Sequence, residues 1–118
     1  MPNKEKGREI YLKFRKEQDK RISFAIEKIR EKFGVEPFGR GLGGPNIIYK
    51  NHPATIQLTD RREGWAVSFF FGGNEMWWGN FKDPVEGFER GVGAMKTFLQ
   101  ELLDSANSWF KDPPDPFC

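Results

Sequence analysis

The period of the hydrophobic pattern changes twice along this chain of 118 residues. Apolar residues recur every three or four positions over residues 4–33, which predicts an amphipathic helix. Between residues 46 and 81 they alternate at every second position, as in strands with one buried face. The three-and-four spacing then returns over residues 83–110. This order predicts an α+β fold with a long N-terminal helix, an antiparallel meander of three or four strands, and a long C-terminal helix packed on one sheet face.

Glycine and proline mark the boundaries between these segments. Gly34 ends the first helix, and Pro37 prevents its continuation. Asp83 and Pro84 form a helix start, because the carboxylate caps free amides and proline fits the first turn. The predicted single domain is divided into a helical arm (1–35), a Gly/Pro loop (36–45), a β-meander (46–82), a helix (83–110) and an extended tail (111–118).

The C-terminal helix carries a regular apolar stripe with spacings that alternate between three and four. Its glycines, at positions 87, 91 and 93, each weaken it by up to about 1 kcal/mol relative to alanine. Such glycines indicate that the helix approaches the sheet closely. The stripe consists of Val85, Phe88, Val92, Met95, Leu99, Leu102, Ala106 and Trp109.

Composition is typical of a folded protein rather than a disordered one, since 15% of the residues are aromatic. No apolar run approaches the roughly 20 residues of a membrane span, and the charged N-terminus predicts no secretory signal. The single cysteine, Cys118, excludes an internal disulfide. We therefore expect no membrane association and a cytoplasmic location, or the interior of a host cell if the protein is viral.

The net charge of +2 is unevenly distributed. Residues 1–33 contain 11 Lys/Arg and 6 Asp/Glu, a net charge of +5, so the remainder carries −3. A basic helix of this kind either supports binding to a phosphate backbone or simply keeps a solvated face of mixed charge.

Alternation within the strands predicts which side chains face the helices. Trp65, Val67, Phe69 and Phe71 form the more apolar set of their strand and are expected to face inward. On strand 75–81 the same logic places Met76 and Trp78 inward. The predicted outer surface contains Thr55, Gln57, Thr59, Ser68, Phe70, Trp77 and Phe81. An exposed aromatic patch of this kind usually marks a binding surface, unless the second helix or the C-terminal tail covers it.

The segments "GWAVSF" (64–69), "WWGNF" (77–81) and the helix opening "EG" (86–87) resemble the DNA-binding domain of plant ethylene-response factors, the apetala-two family. The resemblance covers roughly residues 54–95. It implies a three-stranded sheet that lies in the DNA major groove, with Trp77 at the position of a DNA-contacting tryptophan. Glu75 and Phe70 occupy positions at which that family has arginine, and only Arg61 and Arg62 represent its arginine-rich first strand.

A weaker likeness is to antitoxins of the HicB type. Their second strand has the pattern G-[YW]-x-V-x-F, which "EGWAVSF" (63–69) fits. The Pro-Gly-Cys segment that follows in that family is missing here.

Catalytic chemistry has few candidates in this sequence. His52 is the only histidine and precedes a strand without an evident carboxylate partner. The glycine-rich loop lacks the Lys-[Ser/Thr] of a phosphate-binding loop, and no metal-ligand spacing occurs. The sequence therefore predicts no enzyme, no cofactor and no metal site. The carboxylates Asp60 and Glu63 are expected to be solvated in a turn.

Two functions stay open. The first is nucleic-acid binding, in which Trp77, Phe70 and Gln57 stack on or read bases while Arg61, Arg62 and the basic helix hold the backbone. The second is a protein-interaction module, such as an inhibitor, antitoxin or immunity-type protein of a phage or mobile element. It would use the same aromatic surface, or an exposed helix stripe, to bind a partner protein or to form a homodimer. The resemblance and the basic helix favour the first function, whereas the low net charge and Glu75 favour the second. In both, the predicted site residues are Trp77, Phe70, Gln57, Thr59, Ser68, Arg61, Arg62 and Phe81.

Overall fold

A computed structural model describes residues 4–40 and 45–110, so the predicted tail lies outside the described residues. Two helices flank a β-meander in the predicted order, which confirms the α+β fold class. The elements are α1 (Lys4–Phe33), β1 (Gly39–Arg40), β2 (Asn46–Asn51), β3 (Ala54–Asp60), β4 (Trp65–Phe71), β5 (Asn74–Phe81) and α2 (Pro84–Asn107).

The five strands form one antiparallel sheet in chain order, with β5 at one edge. The two-residue strand β1 lies inside the segment 36–45, for which the sequence predicted only a loop. It joins the opposite edge by pairing Gly39 with Ile48, and the Phe38 amide donates to the Ile48 carbonyl at 2.7 Å. Backbone hydrogen bonds at a sheet edge need no particular side chain, so glycine and arginine gave no strand signal.

Both helices pack on the same face of the sheet. In α1 the residues Ile22, Ala25 and Ile29 are fully buried, and in α2 the first turns bury Phe88. The Phe33 ring of α1 lies 5.1 Å from the Phe88 ring, centroid to centroid, and joins the two helices. Each fully buried isoleucine contributes about 1.5–3 kcal/mol through the hydrophobic effect. The molecule is therefore a two-layer α+β structure with its core between the helices and the sheet.

Two glycines bring α2 close to the sheet. A Cβ on Gly87 would lie 2.7 Å from Val67 Cγ2, and one on Gly91 would lie 3.3 Å from Ile56 Cγ2. The prediction of close approach is thus confirmed for these two positions and wrong for Gly93, where an added Cβ would have no atom of another element within 4 Å. The predicted cap is also confirmed, since Asp83 Oδ1 accepts from the Val85 amide at 2.9 Å.

Both helices run beyond the sheet, at opposite ends. Residues 4–13 of α1 are all exposed, and the first contact with the sheet end is Phe14 beside the β3–β4 turn. At the other end, the Phe98 ring of α2 packs 5.0 Å from the Phe71 ring, after which residues 99–106 are exposed. These free helical ends give the molecule a long dimension of 75 Å against 31 and 21 Å.

Candidate interaction surfaces

A β-bulge in β5 reverses the predicted assignment of sheet faces. Phe69 pairs with Trp77, but the next residue, Phe70, pairs with Glu75, which leaves Met76 as an extra residue. An extra residue shifts the alternation of all later side chains by one position. The prediction that Trp77 and Phe81 point outward and Trp78 inward is therefore wrong.

Trp77 lies on the helix face and packs against the hydrophobic core. Its ring is 6.0 Å from that of Phe81, which also packs there. Gly79 between them makes room, since a Cβ there would come 2.9 Å from Phe81 Cε2. Trp78 points the other way, opposite Ser68, and is 64% exposed. The outward tryptophan is thus Trp78, and the position that the ethylene-response-factor resemblance assigned to DNA contact belongs to the core.

The second face of the sheet, which we call the open face, is not covered by either helix among the described residues. The alternative in which the second helix covers this face is excluded, because α2 packs on the opposite face as predicted. Cover by residues 111–118 lies outside the described residues. Four predicted residues, Gln57, Thr59, Ser68 and Phe70, do share this face. Register places on it Asn46, Ile48, Lys50, Thr55, Gln57, Thr59, Ala66, Ser68, Phe70, Glu75, Trp78 and Asn80.

Two pairs of polar side chains on the open face hydrogen-bond to each other. The Ser68 hydroxyl donates to Glu75 Oε1 at 2.7 Å, and the Thr59 hydroxyl donates to Asn46 Oδ1 at 2.8 Å. Glu75 thus brings a carboxylate next to Trp78, and Lys50 is the one basic residue within the strands of this face whose side chain the structure describes. The face is therefore close to neutral, with a small aromatic area.

The side chains of the two arginines in the β3–β4 turn, both predicted to be site residues, lie on different sides of the sheet end. Arg61 lines a shallow depression at the end of the open face, together with Ser68, Glu75 and Trp78. Arg62 instead places its guanidinium 4.5 Å from the centroid of the Phe14 ring, a cation–π contact with α1. Only Arg61 is therefore brought to the predicted aromatic surface.

A buried ion pair anchors α1 to the sheet. The Asp60 side chain is 1% exposed and accepts hydrogen bonds from both Nε and Nη2 of Arg21. The bond to Asp60 raises the pKa of the Arg21 guanidinium. The expectation that Asp60 is solvated in a turn is wrong, because it is the last residue of β3 and faces the helices. The alternation of buried residues in β3 continues to Asp60, and this pattern in the sequence could have predicted that its side chain is buried.

The end of α2 beyond Phe98, residues 99–107, which we call its free half, carries three exposed leucines. Leu99, Leu102 and Leu103 are each between 39% and 46% exposed, and Trp109 and Phe110 just beyond the helix are more so. Within residues 4–40 and 45–110 no hydrophobic cluster includes them. The first half of the same stripe, including Val85 and Val92, packs against the core.

No protein-family model, curated protein or solved structure matches this chain. The two family resemblances remain predictions from the sequence. Neither α1 nor α2 combines the length with the apolar character that a membrane-crossing helix requires. The part of the chain that the structure describes also contains no group of three His, Cys, Asp or Glu residues arranged to hold a metal ion.

Proposed function

We propose that this protein is a protein-interaction module that binds a second copy of itself through the free half of α2. One observation carries the proposal: the apolar stripe of α2 continues with unbroken spacing beyond the last residue that packs on the sheet. A stripe of this kind is matched by another helix, because alternating spacings of three and four define the seam between paired helices.

The seam, defined as Leu99, Leu102, Leu103 and Ala106, forms a narrow uncharged band. With 3.6 residues per turn, these positions fall within about 100° of one another around the helix axis. The polar residues Gln100 and Asp104 lie to one side and hydrogen-bond to each other at 2.9 Å. No charge within the seam therefore opposes contact with another apolar helix face.

A second copy fits this seam because two identical apolar bands can bury each other around a two-fold axis, the commonest symmetry of oligomers. Charge also favours this arrangement. Residues 4–17 of α1 carry six Lys/Arg and three Glu, a net charge of +3, and leave the sheet at its opposite end. Pairing through α2 keeps these like-charged arms apart. A dimer of this kind fits the inhibitor, antitoxin or immunity class of small interaction proteins.

Sedimentation velocity over a wide concentration range tests this proposal. We expect a reversible dimer that Leu102→Glu converts to a monomer, because a carboxylate in the seam has no partner. Gln100→Glu adds the same charge on the polar side of α2 and is the matched control, which should leave the dimer intact. A wild-type protein that stays monomeric at every concentration would contradict the proposal.

Nucleic-acid binding is the second candidate function, favoured because Arg61 and Trp78 line the same depression at the end of the open face. An aromatic ring next to a cation is the usual arrangement for stacking a base while holding its phosphate. Phe70 and Gln57 lie on the neighbouring strands of the same face. The near-neutral charge of that face is why this candidate comes second, since phosphate binding depends on cations.

An electrophoretic shift with single- and double-stranded DNA and RNA tests the second candidate. It predicts binding that weakens steeply between about 50 and 200 mM salt. Trp78→Ala should reduce that binding, whereas Trp109→Ala, which also removes an exposed tryptophan, should not. Absence of a shift at the lower salt concentration with every probe would exclude this function.

A further inference from the structure

The first turns of α1 extend beyond the sheet and concentrate positive charge. Residues 4–17, which we call the basic arm, contain six Lys/Arg and three Glu, so their net charge of +3 exceeds the +2 of the whole chain. Residues 4–13 are all exposed. Within the described part of the chain, none of the six Lys/Arg side chains of the arm forms an ion pair. These cations are therefore free to bind an anionic partner.

The side of α1 that packs on the sheet changes from apolar to basic where the sheet ends. Ile22 is fully buried on this side. Seven residues make close to two helical turns, so Arg15 and Arg8 lie on the same side of the helix as Ile22. We define the basic face as the residues of the arm that fall within about 60° of one another on this side: Lys4, Arg8, Tyr11 and Arg15.

The carboxylates of the basic arm lie on its other sides. Glu5, Glu9 and Glu17 are each separated by about 60° or more from every residue of the basic face. Asp19, one turn beyond Arg15 toward the sheet, is the first carboxylate near this side, and it is half-buried. An anion can therefore approach the exposed part of the basic face without meeting a carboxylate of the arm.

Arg62 in the β3–β4 turn adds a further cation beside the arm. Its guanidinium lies 4.5 Å from the centroid of the Phe14 ring, and its amide donates to Asp60 Oδ1 at 3.0 Å. Among the described residues it is the one non-glycine residue with a positive φ, 68°, a conformation that side chains seldom adopt. Arg62 forms no ion pair within residues 4–40 and 45–110. The turn thus fixes an unneutralised cation next to the arm.

We propose that the basic face and Arg62 bind the phosphate backbone of a nucleic acid. Charge complementarity carries this assignment, and arginine suits it because the planar guanidinium can donate two hydrogen bonds to one phosphate. An anionic membrane fits less well. The exposed apolar side chains of the arm, Ile10, Tyr11 and Leu12, are consecutive and point about 100° apart, whereas membrane-surface helices have one apolar face. The proposal depends neither on pairing through α2 nor on the open face.

Fluorescence anisotropy with labelled DNA duplex, single-stranded DNA and single-stranded RNA tests this proposal. We expect micromolar binding to at least one probe at about 50 mM salt, which weakens as salt is raised because phosphate contacts release counterions. The double variant Arg8→Gln/Arg15→Gln should weaken binding at least about tenfold and, on duplex DNA, reduce the slope of log affinity against log salt by about 2.

Lys6→Gln/Lys13→Gln is the matched control, because it removes the same charge at the same seven-residue spacing on the opposite side of the arm. It should change affinity little. Circular dichroism of both double variants checks that the helices are intact. Equal losses in the two variants would show that only net charge matters and would overturn the proposal. Absence of binding to every nucleic-acid probe at the lower salt, or binding only to vesicles of anionic lipid, would also overturn it.

Two further variants separate this site from the surfaces described above. Leu102→Glu disrupts the α2 seam, and Trp78→Ala removes the exposed ring of the open face. Both should still bind nucleic acid through the basic face. Loss of binding in Trp78→Ala together with full binding by Arg8→Gln/Arg15→Gln would assign the nucleic acid to the open face and overturn the proposal.

Discussion

The Arg21 guanidinium donates two hydrogen bonds to the same oxygen of Asp60, at 3.0 Å from Nε and 2.8 Å from Nη2, and thereby fixes α1 to the end of β3. Asp60 also accepts from the Arg62 amide at 3.0 Å, so one carboxylate holds the helix and shapes the turn. Arg21 retains partial solvent contact, whereas the Asp60 side chain is buried.

Asp60→Asn should lower the free energy of unfolding by about 2–3 kcal/mol, because hydrogen bonds between charged groups are the strong ones and one partner of a buried pair is lost. Urea denaturation measures the change. Glu63→Gln removes a carboxylate from the exposed part of the same turn and should change stability little. Equal effects of the two substitutions would show that the ion pair contributes no more to stability than an exposed carboxylate of the turn.

Gly87→Ala and Gly93→Ala should have opposite effects on stability. A methyl group on Gly87 would lie 2.7 Å from Val67 Cγ2, so α2 or Val67 must shift, at a cost of about 1–3 kcal/mol. A methyl group at position 93 would have no atom of another element within 4 Å, and there alanine should stabilise the helix by up to about 1 kcal/mol. The melting temperatures of both variants show directly whether each substitution raises or lowers stability. A stabilising Gly87→Ala would mean that the two layers are less closely packed.

Replacing each of the two adjacent tryptophans by alanine should lower stability by different amounts, because one ring is in the core and the other is exposed. Trp77→Ala removes a ring that packs on the core and should destabilise the protein by about 2–4 kcal/mol. Trp78→Ala removes a ring that is 64% exposed and should cost less than about 1 kcal/mol. Denaturation curves of the two variants test the face assignment that follows from the bulge, since Trp77→Ala should lower stability more than Trp78→Ala. The reverse order would restore the face assignment predicted from alternation alone.

Stability should fall in strong base because of Tyr49. Its pKa is about 12 in the folded protein against 10.0 for the free phenol, so the unfolded chain loses this proton first. Between these values the unfolded state binds fewer protons, and the Tyr49 contribution is present below pH 10 and lost as the pH rises toward 12. The loss should reach about 2 kcal/mol. Urea curves at several pH values should show a smaller fall for Tyr49→Phe than for the wild type, whereas identical falls would contradict the burial of the phenol.

Periodic patterns predicted the helices and the four longer strands, because burial on one side of an element repeats at a fixed spacing. The helix cap at Asp83 was also predictable, since capping involves only residues that are adjacent in the sequence. The face of Trp77 was not predictable by alternation, because the extra residue Met76 is defined by pairing with β4 rather than by its own chemistry. The Arg21–Asp60 pair joins residues 39 positions apart, and no local pattern indicates such a partner.

The bulge at Met76 has a consequence for how the protein behaves at high concentration. β5 is an edge strand of eight residues with three aromatic side chains, and a regular strand of that kind is a template for pairing with the strands of other molecules. A bulge interrupts the row of free amide and carbonyl groups, and Glu75 beside it adds a charge that opposes stacking of identical edges. Deleting Met76 would leave Trp77 opposite Phe69 and the core unchanged, yet would make the edge regular. The single extra residue thus protects the folded molecule against aggregation through its own sheet.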